Sequence, residues 1–155
     1  MPSNETAAWV GRAGLPALKL PLGPEINELE TAFWSGGQDG GLYLQRCHTC
    51  GAWAHPPFPR CRVCKSEDVG PQRASGRGTV YSFTVNHQPW APDLAVPYII
   101  AVVAPEEAPE LRLYTNIVEA GVDEIKIGMP VEVDPVDVGD GVWLPVFRLR
   151  RSEQV

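Results

Sequence analysis

Two Cys-x-x-Cys pairs constrain the fold of this chain more than any other feature of its sequence. Cys47 and Cys50 form the first pair, and Cys61 and Cys64 form the second after ten intervening residues. Each pair can present two sulfurs to a common point, and two such pairs are typical of a tetrahedral zinc site. These are all the cysteines of the chain, so none remains as a nucleophile for acyl transfer. The pattern predicts one structural zinc ion with a closed shell of four sulfurs.

Other uses of these residues agree less well with the sequence. Disulfides suit secreted chains, but residues 1–6 show no basic stretch followed by an apolar run and a cleavage site. A redox Cys-x-x-Cys motif usually occurs once, beside a βαβ pattern, whereas this chain has two copies. His48 and His55 could replace a sulfur as ligand, but four sulfurs already complete the shell. We therefore expect both histidines at the surface or beside the ligands.

Composition favours a β-rich protein. Sixteen prolines and fifteen glycines among 155 residues interrupt the chain too often for long helices. The longest apolar run, at 98–104, has the length of a strand and is far shorter than the roughly 18 residues needed to span a membrane. We expect a soluble, cytoplasmic protein with no membrane partner.

The net charge of −6 is unevenly distributed. Residues 46–77 carry six basic and two acidic side chains, a net charge of +4. Residues 78–147 carry two basic and eleven acidic side chains, a net charge of −9. Nucleic-acid binders need positive charge along the path of the phosphates, so we expect no nucleic acid as a partner.

The N-terminal third has little regular structure. Residues 1–23 mix apolar residues with Gly and Pro, and we expect an extended arm. From Pro24 to Trp34, apolar residues recur at helical spacing, which predicts a short amphipathic helix followed by a hairpin turn at 36–41. Phe33 and Trp34, at the end of this helix, either pack against the core or anchor an interface.

Residues 42–151 are predicted to form a zinc ribbon followed by a β-barrel. Residues 42–75 contain both cysteine pairs and form the predicted zinc ribbon, and residues 76–151 form the second domain. Five strand-like segments follow the ribbon, with Tyr81, Phe83 and Val85 on one face of the first and a hairpin turn at 138–141 before the last. The segments are 79–85, 98–104, 111–117, 129–133 and 142–149. A mainly β fold results, with an N-terminal helix, a rubredoxin-like zinc ribbon and a five-stranded OB-fold barrel.

Several motifs together resemble those of the DUF35 family of OB-fold, acyl-CoA-associated proteins. They occur in family order between about residues 25 and 150, and the segment at 1–23 falls outside the match. The matching segments are the Phe-Trp pair at 33–34, the strand and first cysteine pair at 42–51, the second pair at 59–64, and the barrel segments at 76–85, 97–98 and 128–133.

The resemblance implies a non-catalytic accessory subunit. Family members bind thiolase-like enzymes that act on acyl-CoA thioesters, among them aldolases that cleave steroid side chains, thiolases, acetyltransferases and synthases. An aldolase partner in a two-plus-two (α2β2) complex is our leading interpretation. Some members are fused to a hydratase-like domain, which this sequence does not contain. Independently of the family, the three histidines have no evident nucleophile partner, and no GxSxG motif occurs.

Two alternatives from other classes stay open. Zinc ribbons and OB-folds also occur in binders of single-stranded nucleic acid, although the −9 segment argues against that function here. A small enzyme in its own right would have to turn over an acyl-CoA alone.

Two further sets of residues are candidates for binding. Arg46, Arg60 and Arg62 could contact the phosphates of coenzyme A, because a guanidinium donates two parallel hydrogen bonds to such groups. Alternatively, they only solvate the ribbon or pair with carboxylates. Trp90, in a Pro-rich loop, could anchor a partner or simply cover the end of the barrel.

Overall fold

The structure is a computed structural model that describes residues 26–90 and 96–151. The predicted arm at 1–23 lies outside these residues. The helical elements are α1 (Thr31–Ser35) and a 3-10 helix (Gly36–Asp39). The strands are β1 (Leu42–Cys47), β2 (Trp53–Ala54), β3 (Val69–Ala74), β4 (Arg77–Asn86), β5 (Tyr98–Pro105), β6 (Leu113–Val118), β7 (Pro130–Val133), β8 (Val136–Gly139), β9 (Val142–Leu144) and β10 (Phe147–Leu149).

Five strands close into a barrel in the order β10, β6, β5, β4, β7. All pairs are antiparallel except β10 with β6, which is parallel. A closed five-stranded barrel of this kind is an OB-fold. The ribbon is a separate three-stranded sheet in which β1 lies between β2 and β3. The predicted fold class is therefore confirmed.

A β-bulge in β4 corrects the predicted facing of Tyr81. The register of β4 against β5 shifts between Val80 and Ser82, so Tyr81 leaves the alternation. Val80 is buried, Phe83 packs against the core, and Tyr81 is 54% exposed. A bulge inserts one residue and redirects its side chain, which a pattern of period two cannot anticipate.

The predicted fifth strand at 142–149 is split in two. Residues 142–144 pair with β8 in a hairpin of their own, and only residues 147–149 join the barrel. Pro145 separates the two strands, because a proline has no N–H to donate to a ladder. The turn predicted at 138–141 closes this hairpin, with Asp140 and Gly141 at positive φ.

The helical region also differs from its prediction. Among the described residues, the α-helix begins at Thr31, after a turn whose N–H groups Asn27 caps through its side chain. Residues 36–39 form a 3-10 helix in place of the predicted hairpin turn. A Cβ at Gly37 would lie 2.5 Å from Cβ of Trp143, so glycine here permits close packing against the β8–β9 hairpin.

The ribbon and the barrel share one core. Leu42, Leu44 and Ala74 of the ribbon sheet belong to the same buried cluster as Val80, Val131 and Phe147 of the barrel. The ribbon is thus fixed on the barrel by apolar packing. No helix among the described residues is long and apolar enough to cross a lipid bilayer.

Candidate metal centre and its surroundings

The structure places the four predicted sulfur ligands together. The Sγ atoms of Cys47 and Cys64 are 3.6 Å apart, as are those of Cys50 and Cys61, and all four lie within 4.8 Å of one another. A tetrahedral zinc ion with Zn–S bonds of about 2.3 Å requires sulfurs about 3.8 Å apart. A disulfide would need a separation of about 2.05 Å. The arrangement therefore fits one zinc ion and no disulfide.

Both cysteine pairs adopt the same backbone turn. Gly51 donates its N–H to the carbonyl of Cys47 at 2.8 Å, and Lys65 donates its N–H to the carbonyl of Cys61 at 3.0 Å. Gly51 has φ of 76° and Lys65 has φ of 66°, both in the left-handed region. Glycine occupies this region without strain, whereas lysine does not. The two turns thus differ at the one position where the backbone favours glycine.

Backbone N–H groups in these turns favour thiolates. The N–H of Cys50 lowers the pKa of the Cys47 thiol. The N–H of Cys64, with that of Val63, lowers the pKa of the Cys61 thiol to about 6. Hydrogen bonds to the charged form have this effect, and zinc binds the thiolate.

The fourth sulfur shows the opposite shift. The N–H of Ser66 lowers the pKa of the Cys64 thiol, but burial and hydrogen bonds with the other three sulfurs raise it to about 12. Like charges so close together cannot all ionise without a counterion. A divalent cation would remove this conflict, which agrees with the chemistry of the donor set.

Polar contacts outside the sulfurs join the two turns. Thr49 Oγ1 and Ser66 Oγ are 2.8 Å apart, so the turns are linked across the site. His48 Nδ1 lies 2.8 Å from a carboxylate oxygen of Asp68. His48 is exposed, as expected.

His55 is half-buried. Its ring stacks on Phe33 with centroids 4.5 Å apart, and burial lowers the pKa of its imidazole. Both rings line a cavity of about 110 Å³ between the N-terminal helix and the ribbon sheet.

Gln45 has a structural role beside the metal site that the sequence did not reveal. Its side chain is 7% exposed and makes two hydrogen bonds with the main chain of Phe58. Nε2 donates to the Phe58 carbonyl at 2.7 Å, and Oε1 accepts from the Phe58 N–H at 3.0 Å. This clamp holds the segment between the two cysteine pairs against β1. Gln45 alternates with Leu42 and Leu44, at a position where a polar side chain is expected to face solvent, so nothing in the sequence signalled its burial.

The three candidate arginines have different local partners. Arg46 lies over the Trp53 ring at 5.1 Å, and Arg62 lies over the Phe58 ring at 4.1 Å. Arg60 forms an ion pair with Glu67. Stacking leaves the edge of a guanidinium open for an anion, whereas the carboxylate competes for it.

The aromatic candidates for an interface also differ from one another. Phe33 packs against the core and meets Trp34 edge to face, with centroids 5.0 Å apart. Trp34 is half-buried. Trp90 is 75% exposed and donates its Nε1–H to Asn86 Oδ1 at 3.1 Å.

Residues 26–90 and 96–151 contain no Ser, Thr or Cys nucleophile paired with a histidine base. Within these ranges, the only contact between a histidine and a carboxylate is that of His48 with Asp68. No Ser, Thr or Cys side chain there hydrogen-bonds to a histidine. A nucleophile activated by a base requires such a bond.

Comparisons with known proteins identify relatives of both domains. A model described as ChsH2, rubredoxin-like zinc ribbon domain, matches residues 34–70, and one described as ChsH2, C-terminal OB-fold domain, matches residues 71–135. A probable enoyl-CoA hydratase alpha subunit from Thermomonospora curvata is 41% identical over 126 residues, which cover 81% of this chain and 39% of the relative. The 3-oxo-4,17-pregnadiene-20-carboxyl-CoA hydratase alpha subunit from Mycobacterium tuberculosis is 38% identical over 117 residues, covering 76% and 37%. The chain thus spans less than two fifths of the length of these curated relatives.

A solved structure matches more completely. A chain of the Ltp2-ChsH2(DUF35) aldolase superposes with a TM-score of 0.73 at 38% identity, over 82% of this chain and 98% of that chain. The match extends over the ribbon and the barrel together. This chain therefore belongs to the DUF35 family, with the rubredoxin-like zinc ribbon and OB-fold domain of the ChsH2 type.

Proposed function

We propose that this protein is the accessory DUF35 subunit of a heteromeric complex with a thiolase-like enzyme. The complex acts on acyl-CoA thioesters, and its reaction is aldolase cleavage of a steroid side-chain thioester. The observation that carries the proposal is the 38% identity to a chain of the Ltp2-ChsH2(DUF35) aldolase, of which 98% is covered. We infer a complex of two copies of each chain, because we expect the thiolase-like partner to be a dimer.

The chemistry of this complex belongs to the partner. The four sulfurs converge on one point and would form a closed metal shell, which leaves no open position for substrate. Histidine geometry in the described residues supplies no activated nucleophile. Both features support a subunit that positions or stabilises the catalytic chain.

Zinc is the metal that this site suits best. Cys47, Cys50, Cys61 and Cys64 would hold it, and four soft thiolates at tetrahedral spacing select zinc over harder ions. The ion would fix the ribbon structurally. Reduced thiols and an acyl-CoA substrate both favour the cytoplasm.

Coenzyme A contacts are part of the proposal. Arg46 and Arg62 are the better candidates for its phosphates, because aromatic rings orient both guanidinium groups. Arg60 is the weaker candidate, since Glu67 already pairs with it.

A second candidate is a complex that also contains a hydratase. Two relatives are named as hydratase alpha subunits, and this chain matches less than two fifths of each. A thiolase, acetyltransferase or synthase could take the place of the aldolase as the partner of this accessory subunit.

The test is capture followed by assay. Tagged protein is isolated from its native lysate, captured chains are identified by mass spectrometry, and the purified complex is given a steroid side-chain acyl-CoA. We expect a thiolase-like chain, release of a short acyl-CoA by the complex, and no turnover by this chain alone. Turnover by the isolated chain would contradict the accessory role, and consumption of free coenzyme A during cleavage would indicate a thiolase partner.

A further inference from the structure

We propose that the outward side of β4, β5 and β6, here called the three-strand face, docks the partner subunit. The occupant is a surface of the thiolase-like chain that is uncharged except for one carboxylate, which lies opposite Arg112. This inference rests on the proposed function and assigns the contact surface within it. It keeps Trp90 from the sequence prediction and replaces the other two predicted interface residues, Phe33 and Trp34, with the three-strand face.

Strand register brings the outward side chains into adjacent rows. Val102 on β5 pairs with Ser82 on β4 and with Tyr114 on β6. In the next row, Ile100 pairs with Thr84 and Asn116. Tyr114 is 81% exposed, and Ile100 is also exposed. Aromatic and branched apolar side chains are therefore presented to solvent at the centre of the face.

The charge distribution sets this face apart from the rest of the barrel. Residues 79–86, 98–104 and 112–116, which supply it, contain no Asp or Glu. All eleven acidic residues of the 78–147 segment lie elsewhere. Depletion of charge with exposed aromatic residues is the composition of an interface centre.

Arg112 is the one charged side chain of these strand segments. Its guanidinium lies 3.7 Å from the centroid of the Tyr81 ring. Tyr81 is the residue that the β4 bulge turns outward. Nη1 of Arg112 donates to the carbonyls of Pro109 and Leu111 at 2.6 and 2.7 Å. Within the described residues, no carboxylate lies within ion-pair distance of it. The bulge, the ring and the two carbonyls hold a guanidinium whose remaining donors can bind a partner carboxylate.

Trp90 extends the face at one end. Asn86, the last residue of β4, faces outward beside Tyr98 and accepts a hydrogen bond from the Trp90 indole at 3.1 Å. Its amide also donates to the carbonyl of Gln88 at 2.7 Å. The exposed indole is thus fixed next to the row that contains Ile100 and Thr84.

The size of the face is compatible with the central part of an interface. The three strand segments contain 20 residues in all. With a rise of about 3.3 Å per residue and strands about 4.8 Å apart, they cover about 300 Å². A stable complex buries about 800 Å² on each partner. The three-strand face therefore supplies the centre, and Trp90 supplies part of the rim.

Charge distinguishes this occupant from two others. A second copy of the same face would bring a second Arg112 and no carboxylate to pair with it. A nucleic acid would meet one cation surrounded by a segment of net charge −9. A protein surface with a single acidic residue satisfies the face best.

The experiment compares matched variants in capture of the thiolase-like chain by the full tagged protein. Tyr114→Asp places a charge at the centre of the face, and Ile127→Asp places the same charge at another exposed apolar residue, 67% exposed, on the β6–β7 connection. We expect Tyr114→Asp to weaken binding at least tenfold and Ile127→Asp to change it less than twofold. Arg112→Gln, which removes the charge but keeps a polar side chain, is expected to weaken binding about fivefold and to reduce its salt dependence. If Tyr114→Asp does not fold, Tyr114→Ala replaces it.

The outcomes separate the inference from the proposed function. If the parent protein captures no thiolase-like chain, the proposed function fails and the inference fails with it. If the parent captures that chain and the face variants bind it as well as the parent does, the inference alone is overturned. Loss of self-association in sedimentation, or of binding to a fluorescent oligothymidylate, in the Tyr114 variant would assign the face to a second copy or to nucleic acid and would also overturn it.

Discussion

Replacing Gln45 with methionine should destabilise the ribbon by about 2 to 4 kcal/mol, because it removes both hydrogen bonds to the main chain of Phe58. Methionine has nearly the same length and shape, so packing around the buried side chain is retained. Each neutral hydrogen bond contributes about 0.5 to 1.5 kcal/mol, which gives the lower figure for two. Each backbone group left buried without a partner costs about 1 to 3 kcal/mol, which gives the upper figure.

Loss of this clamp should also affect the metal site and the candidate phosphate site. Phe58 lies three residues before Cys61, and its ring supports the guanidinium of Arg62. We therefore expect Gln45→Met to release zinc faster to a chelator than the parent does. The ribbon would still form, because β1 keeps all six pairings with β3.

Gln45→Glu tests the two hydrogen bonds individually, because it removes one and keeps the other. A carboxylate at this position can still accept from the Phe58 N–H, but it faces the Phe58 carbonyl without a proton to donate. Its folded-state pKa should lie above the unfolded value of about 4.3, so destabilisation should be largest near pH 7 and should diminish as the pH falls toward that value.

The assay is urea unfolding in excess zinc, followed by tryptophan fluorescence. Gln72→Met is the matched control, because Gln72 is exposed on β3 and pairs with Leu44. We expect the control to change the free energy of unfolding by less than about 0.5 kcal/mol. Equal effects of the two substitutions, or an unchanged zinc release rate in Gln45→Met, would refute the reasoning.

Three further predictions concern the metal site and the junction of the two domains. Cys61→Ser should lower zinc content and melting temperature, measured by metal analysis and thermal unfolding; unchanged values would exclude a structural site. Gly51→Ala should lower the free energy of unfolding in urea by about 1 kcal/mol, because the φ of 76° at Gly51 is left-handed, although no atom lies closer than 3.7 Å to the added Cβ. Lys65→Gly should not lower it. Equal losses of stability in the two variants would contradict the strain at this position. Burial raises the pKa of Glu107, but hydrogen bonds from Ser75 lower it by a larger amount, so the net shift of the pKa is downward. The carboxylate therefore stabilises the fold above about pH 4.5, and this contribution is lost as the pH falls below that value. Glu107→Gln should therefore flatten the acid side of the stability profile, and a profile parallel to that of the parent would contradict this.

Local spacing made the metal site predictable. Four cysteines in two pairs leave few chemical alternatives, and the structure brings their sulfurs within 4.8 Å. Alternating apolar residues likewise located the barrel strands, because one face of each strand must be buried. The predicted helix from Pro24 was longer than α1, since Asn27 caps a turn before Thr31.

Features that depend on tertiary contacts were not predictable. The β4 bulge turns Tyr81 outward, and only the partner strand reveals the extra residue. Pro145 could have signalled the break between β9 and β10, but the apolar run around it read as a single strand. Gln45 is buried because the segment that contains Phe58 covers its side of β1. Phe58 is thirteen residues away in the sequence, so local spacing does not indicate this contact. The three-strand face required the register of three strands.

Native mass spectrometry of the complex captured by tagged protein tests the central claim most directly. We expect one assembly that contains a thiolase-like chain and this chain in equal number, two of each, with one zinc ion for every copy of this chain. Recovery of this chain alone, or in an assembly without a thiolase-like chain, would contradict it.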